Sequence, residues 1–194
     1  MKIYKRIAAV LLAAVLLSAA TLTACATAED TGFSDVAADA WYAEAVAYVR
    51  EHNLMGGVGD GRFSPEATTS RAMLATLLYR AAGSPAVSTS AGFTDVDGKA
   101  WYAAGANWAA ENGIFSGYGN NRFGADDPIT REQIAVVLWR YAGSPDAAAG
   151  ENFADENAIA AYAADAVDWA SLPDGFVLPN RISAAAAAVA SPQR

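Results

Sequence analysis

Histidine and cysteine are almost absent from this sequence, which has one of each among 194 residues. Thiol catalysis and zinc binding both need several such side chains close together, so His52 and Cys25 alone supply neither. The segment Gly59-Asp60-Gly61-Arg62 is followed by no Lys-Ser or Lys-Thr pair and lacks the phosphate-loop spacing. It also lacks the alternating acidic ligands of an EF-hand loop. We therefore predict no catalytic residue, no metal site and no cofactor.

Basic residues are also scarce, because 13 Lys and Arg stand against 21 Asp and Glu, for a formal net charge of −8. Removal of residues 1–24 takes away three basic residues and no acidic residue, which leaves a net charge of −11. A chain this acidic is poorly suited to bind nucleic acid or anionic lipid by charge. An anionic partner would have to be bound by individual, locally placed basic side chains.

An apolar run at residues 7–20 is shorter than the roughly 20 residues that a membrane-spanning helix needs. Lys2, Lys5 and Arg6 precede it, which is typical of an export signal. The segment Leu22-Thr23-Ala24-Cys25 resembles a bacterial lipobox, in which the cysteine is lipidated and becomes the new N-terminus. We predict a signal peptide over 1–24 and a membrane tether at Cys25. Ordinary cleavage at Ala26-Thr27-Ala28 would discard the cysteine, and this alternative stays open.

A repeat of 60 residues organises the remainder of the chain. Phe33-Ser34-Asp35-Val36 recurs as Phe93-Thr94-Asp95-Val96 and, more weakly, as Phe153-Ala154-Asp155-Glu156. The first two copies share 20 identical residues over 53 aligned positions, which is too many for chance. We therefore predict a first repeat at 33–85, a second at 93–145 and a partial third at 153–181. A tether at 25–32, linkers at 86–92 and 146–152 and an alanine-rich tail at 182–194 complete the chain.

The spacing of apolar residues predicts a helix, a loop and a second helix in each repeat. In the first repeat, Asp39 is the predicted N-cap of a helix that reaches about His52. The second helix is expected to run from about Ser70 to Ala82, with Gly83 at its C-terminal cap. Its buried face should consist of Met73, Leu74, Leu77 and Leu78. A pair of short helices buries little surface by itself, so we expect the repeats to pack against one another.

The order of four motifs in the chain resembles the S-layer homology domain. These motifs are Phe-x-Asp-Val, Trp-Tyr-x-x-Ala, Gly-x-Gly near Arg-Phe, and Ile129-Thr130-Arg131-Glu132-Gln133. The resemblance covers nearly all of the chain after the signal. It implies a mainly α fold of tandem helix-loop-helix repeats, packed as a pseudo-threefold assembly around a central helix bundle, here with an incomplete third repeat. It also implies a non-enzymatic protein of the bacterial cell envelope that binds a secondary cell-wall polysaccharide, commonly pyruvylated, in grooves between repeats.

The family's Thr-Arg-Ala-Glu signature falls on Thr130-Arg131-Glu132-Gln133 and, less well, on Ser70-Arg71-Ala72-Met73, and both copies lack the final acid. Arg71 and Arg131 are predicted to bind a pyruvate carboxylate through paired N–H bonds near the open amides of a helix start. The other predicted ligand-binding residues form three pairs. Trp41 and Trp101 could stack on a sugar ring, and Gly57 and Gly117 would let the backbone approach a sugar closely. Asp35 and Asp95 are the third pair.

Each of these residues also has a structural alternative. The arginines could form ion pairs with a neighbouring repeat, and the tryptophans could be core residues. The glycines could serve turns with positive φ, and the aspartates could bind loop amides. The sequence leaves these alternatives open.

Two functions remain. The first is anchoring at the cell surface or cell wall, with a wall polysaccharide or peptidoglycan-linked polymer as partner and no role for nucleic acid. The second is a structural or protein-interaction module of the envelope that oligomerises or binds a partner protein. A glycosidase would need one special pair of carboxylates, whereas the distinctive acids here recur with the repeat, which favours multivalent binding.

Overall fold

The computed structural model describes residues 31–88, 90–146 and 153–172. The predicted signal peptide, Cys25 and the alanine-rich tail lie outside these residues, as do most of the second linker and the end of the third repeat. In the described part of the chain, every helix is too short or too polar to cross a lipid bilayer.

The described residues contain five α-helices: α1 (Ala43–Glu51), α2 (Arg71–Ala81), α3 (Ala103–Glu111), α4 (Arg131–Tyr141) and α5 (Ala164–Ser171). Two short 3-10 turns, Glu156–Ala158 and Ala161–Ala163, precede α5. Within this part of the chain, β-structure is limited to three isolated bridges. The helices confirm the mainly α, helix-loop-helix fold, with α1 and α2 in the first repeat, α3 and α4 in the second, and α5 opening the third.

The opening helices begin later than the sequence suggests. Helix α1 starts after Tyr42 and has no side-chain cap, so the prediction of Asp39 as its N-cap is wrong. Short-range turns occupy the preceding residues instead, because the Ala40 N–H donates to Ala37 O at 3.0 Å. Helix α3 begins in the same way after Tyr102.

The closing helices begin where the sequence predicts. Ser70 and Thr130 are the N-caps of α2 and α4, and each hydroxyl accepts a hydrogen bond of 3.3 Å from the third amide of its helix. Helix α2 ends at Ala81, and Gly83 follows with a φ of +87°, which is the left-handed geometry expected after a helix end.

Each closing helix packs against the opening helix of the next repeat, α2 on α3 and α4 on α5. The backbones of α2 and α3 come close together at Gly105, where a Cβ would lie 2.8 Å from the Thr76 Cα. Leu74, Leu77 and Leu78 of α2 are buried as predicted, whereas Met73 is half-buried. One apolar core therefore runs through the first two repeats and includes Trp169 of α5, which confirms that the repeats pack together.

The third repeat is attached through a smaller contact. Ala163 and Ala166 form a separate apolar cluster with Ala135 and Val136 of α4. The carboxylate of Glu132 accepts hydrogen bonds from the Ala160 N–H and the Tyr162 hydroxyl, both at 3.1 Å. Closure of three repeats around a central bundle stays a prediction, since the described part of the third repeat ends at residue 172.

Candidate functional site

We use the term first junction for the contact between the N-terminus of α2 and the loop that follows α3 in the second repeat. The Arg71 N–H donates to Asp127 O and the Ala72 N–H donates to Ala125 O, both at 3.0 Å. The Ser70 hydroxyl accepts the next amide along the helix. The first-turn amides of α2 are therefore bound by protein groups, and they differ in this from the open amides that the sequence led us to expect.

The Arg71 side chain is enclosed in the same junction and is only 5% exposed. Its Nε donates to Phe123 O and its Nη2 donates to Ser116 O, both at 2.9 Å. The guanidinium carbon lies 4.4 Å from the centroid of the Tyr118 ring, 5.2 Å from that of Phe115 and 5.4 Å from that of Phe123. Burial lowers the pKa of Arg71, and the nearby Tyr118 opposes that shift.

Arg71 makes no ion pair with a described residue, contrary to the structural alternative raised by the sequence. The one ion pair among the described residues joins Arg122 Nε to Asp95 Oδ2 at 3.8 Å. Arg71 is bound instead by carbonyl oxygens and aromatic faces, an arrangement that suits a planar cation. The ligand-binding role of Arg71 stays a prediction.

The second junction lies at the N-terminus of α4, and its arginine is placed differently. Arg131 is exposed and forms no hydrogen bond or ion pair within the described residues. The amides of Arg131 and Glu132 also have no acceptor there, whereas the Gln133 N–H is bound by the Thr130 hydroxyl. Arg131 is therefore an exposed cation beside two amides that have no acceptor among the described residues, and its ligand-binding role stays a prediction.

Asp35 and Asp95 hold the loop of their own repeat. The Asp35 carboxylate accepts the amides of Phe63 at 2.8 Å and Ser64 at 2.7 Å, and Asp95 accepts the equivalent amides at 2.7 and 2.8 Å. The Phe63 hydrogen bond lowers the pKa of Asp35. Partial burial acts to raise the pKa of Asp95, but the loop amides outweigh it and the pKa lies below its usual value. These contacts match the structural alternative, and ligand binding by either aspartate stays a prediction.

Gly57 and Gly117 are explained by close packing inside the loop. A Cβ on Gly57 would clash with the Arg62 carbonyl and lie 2.7 Å from the Phe33 ring. A Cβ on Gly117 would lie 2.8 Å from the Phe93 ring. Gly57 has a φ of +75°, whereas Gly117 does not have a positive φ, so the turn alternative applies to Gly57 alone. Close approach of a sugar at these glycines stays a prediction.

Trp41 and Trp101 are on the surface, at 63% and 64% exposed, so the core alternative is wrong for both. Each indole lies edge-on to the tyrosine that follows it, with ring centroids 5.4 and 5.3 Å apart. Tyr162 occupies the equivalent place before α5 and is 57% exposed. Exposed rings suit stacking on sugars, but stacking at these residues stays a prediction.

The residues that the sequence singled out are only partly brought together. Gly117 lies in the loop that receives Arg71, and Asp95 binds the amides of that loop. Neither tryptophan forms a cation–π contact with an arginine in the described chain. Comparison of the repeats missed Tyr118, because its counterpart in the first repeat is Val58. Within residues 31–88, 90–146 and 153–172, no group of His, Cys, Asp or Glu side chains could hold a metal ion.

The family comparison agrees with this geometry. The family model of the S-layer homology domain matches residues 32–73 and 92–135. Each match begins at the Phe-x-Asp loop and extends into the closing helix of its repeat. The first and second repeats are therefore S-layer homology repeats.

Three curated relatives extend the comparison. A "Cell surface protein" of Thermoanaerobacter kivui is 32% identical over 124 residues, which cover 61% of this chain and 16% of that protein. An "Endoglucanase" of Bacillus sp. (strain KSM-635) is 30% identical over 163 residues, 78% of this chain and 17% of that protein. A "Cellulosome-anchoring protein" of Acetivibrio thermocellus is 44% identical over 48 residues, 25% of this chain and 11% of that protein. The chain spans about a sixth or less of these relatives, so the shared segment is a module within proteins of different names.

Proposed function

We propose that this protein is a non-enzymatic anchor of the bacterial cell surface that binds a carboxylate-bearing polysaccharide of the cell wall without a covalent bond. The presence of two S-layer homology repeats supports this proposal. The names of the relatives, a cell surface protein and a cellulosome-anchoring protein among them, agree with a location at the wall. Lipidation of Cys25 would add a membrane tether to the same location.

The observation that carries the proposal is the exposure of Arg131 at the start of α4. The protein is acidic overall, so an anionic polymer must be bound by a cation that no internal partner neutralises. Arg131 has no described partner and lies beside two open amides, whereas Arg71 is enclosed. A pyruvate carboxylate can accept two parallel N–H bonds from a guanidinium group and a further bond from a helix amide. We therefore place the main anionic subsite at Arg131.

Sedimentation with purified cell-wall sacculi tests this proposal. The protein should sediment with intact sacculi and stay in solution once the secondary polymers have been chemically stripped. Arg131→Ala should weaken binding by roughly 10- to 150-fold, the equivalent of about 1.5–3 kcal/mol for one charged hydrogen-bonding partner. Arg62→Ala is the matched control, because Arg62 is an exposed loop arginine outside the junctions. Equal binding to stripped and intact sacculi, or equal loss in both variants, would refute the assignment.

A second candidate function, protein interaction within the envelope, is favoured by one specific observation. The side of the first repeat that corresponds to the covered side of the second repeat is only partly buried, and no described helix packs on it. This surface has the chemistry of a docking site and carries the inference that follows.

A further inference from the structure

The first repeat has an open side whose counterpart in the second repeat is covered by α2. Five residues of the second repeat are buried at that contact: Gly105, Trp108, Phe115, Gly124 and Ala125. Their counterparts in the first repeat are all only partly buried: Ala45, Tyr48, Met55, Ser64 and Pro65. We call this second set of residues the open flank. Its composition is that of a repeat-repeat contact, and no described helix covers it.

The open flank also has unfilled hydrogen-bond acceptors. In the second repeat, four carbonyl oxygens accept hydrogen bonds from α2, those of Ser116, Phe123, Ala125 and Asp127. The equivalent carbonyls in the first repeat belong to Gly56, Phe63, Pro65 and Ala67, and none accepts a hydrogen bond within the described part of the chain. Backbone carbonyls at a half-buried surface favour a protein donor of matching geometry.

The matching donors lie at the opposite end of the same chain. Arg71 and Ala72 fill the carbonyls of the second repeat through two helix amides and one guanidinium group. Their counterparts on α4, Arg131 and Glu132, have free main-chain amides within the described residues, and the Arg131 guanidinium is exposed. Within the described residues, the first repeat thus has acceptors without donors, and the start of α4 has donors without acceptors.

We propose that the open flank of one copy binds the N-terminus of α4 of a second copy, so that copies assemble head to tail through the same contact that joins the first two repeats. Such a contact uses two different surfaces and extends from copy to copy. The incoming first repeat takes the place of the partial third repeat beside α4. That repeat is attached to α4 through two hydrogen bonds to Glu132 and a small cluster of alanines and Val136, and its Trp169 is buried in the main core.

Concentration decides between the two arrangements. The third repeat is tethered to α4, so its effective concentration at that helix is on the order of millimolar. A second copy therefore competes with it for α4 only when the protein concentration approaches this value. Tyr162→Ala removes one of the two hydrogen bonds that attach the third repeat and should therefore promote assembly. Arg131 is also the proposed polymer-binding residue, so a wall polymer and a second copy would compete for it.

Sedimentation velocity and light scattering on the chain without residues 1–24, in the absence of polymer, test the proposal. We expect association that rises with protein concentration, and Tyr162→Ala should raise the association constant roughly fivefold, the worth of about one hydrogen bond. Ala45→Arg places a long side chain on the open flank, and Arg131→Gln removes the guanidinium group. Each variant should associate at least about tenfold more weakly. Ala104→Arg, on the exposed side of α3, is the matched control and should associate like the parent.

Mixing the two defective variants gives the sharpest result. Ala45→Arg keeps its donor end and Arg131→Gln keeps its open flank, so an equimolar mixture should form a one-to-one dimer that neither variant forms alone. Circular dichroism checks the fold, and Tyr48→Lys replaces Ala45→Arg if the latter loses helix. The proposal is overturned if the parent and Tyr162→Ala stay monomeric up to about millimolar concentration, where the tether competes. It is equally overturned if the variants associate like the parent, or if mixing restores nothing.

Discussion

Removal of the Arg71 side chain should weaken the whole fold, although the residue lies at the start of a helix where arginine is ordinarily a surface residue. The side chain is 5% exposed and bridges two repeats through the carbonyls of Phe123 and Ser116. Arg71→Ala would leave both acceptors unpaired in a buried place and would empty the space between three aromatic rings.

The expected size of the effect follows from these contacts. A hydrogen bond that involves a charged group contributes about 1.5–3 kcal/mol, and a desolvated cation–π contact contributes up to about 2 kcal/mol. The cost of burying the charge offsets part of this sum. We expect Arg71→Ala to lower the free energy of unfolding by about 3–5 kcal/mol, which is the sum of these contacts less part of the cost of burying the charge.

The chain supplies its own control for this measurement. Arg131 occupies the equivalent position but is exposed, so Arg131→Ala should change the free energy of unfolding by less than about 0.5 kcal/mol. Urea denaturation followed by circular dichroism and by tryptophan fluorescence measures both variants. Equal losses in the two variants, or a loss below about 1 kcal/mol for Arg71→Ala, would show that the bridge between the repeats is not formed as described.

Two further variants probe the contact between repeats and the loop. Gly105→Ala places a methyl group against the Thr76 backbone. We therefore expect thermal unfolding to show that the free energy of unfolding falls by about 1–2 kcal/mol, even though alanine favours helix. In the control Gly98→Ala, the new Cβ meets no atom and stability should change little. The Asp95 carboxyl has a lowered pKa when folded, so its contribution to stability is present above about pH 4 and is lost as the pH falls through the folded pKa. Asp95→Asn should flatten the fall in urea midpoint between pH 7 and pH 3, whereas exposed Asp126→Asn should not; equal pH profiles would contradict this.

The sequence predicted the closing helices well because the information that defines them is local. The N-caps Ser70 and Thr130 and the glycine after α2 act on neighbouring backbone groups, so their residue types suffice. The prediction of Asp39 as a cap was wrong because backbone hydrogen bonds close the turn that precedes α1. The pattern of side chains along the sequence does not show such bonds. Local patterns thus fixed the ends of two helices and misplaced the start of a third.

The environments of the candidate site residues could not be predicted in the same way, because they depend on contacts between repeats. Arg71 and Arg131 occupy the same place in the repeat pattern, yet one is buried and the other exposed. Tyr118 completes the surroundings of Arg71 but belongs to a different repeat and has no counterpart in the pattern. An alignment of equivalent positions finds the residues that the repeats share, but it contains no information on the contacts between one repeat and the next.

The different surroundings of the two arginines follow from the order of repeats along the chain. The loop of the second repeat covers the first turn of the closing helix before it, and Arg71 lies in this contact. The described part of the third repeat ends before the corresponding loop, and it contacts α4 through Glu132 while Arg131 stays exposed. Helices α2 and α4 have the same length and the same type of cap, so the helix itself does not decide whether its first arginine is buried. Within the described residues, the contact made by the following repeat decides it.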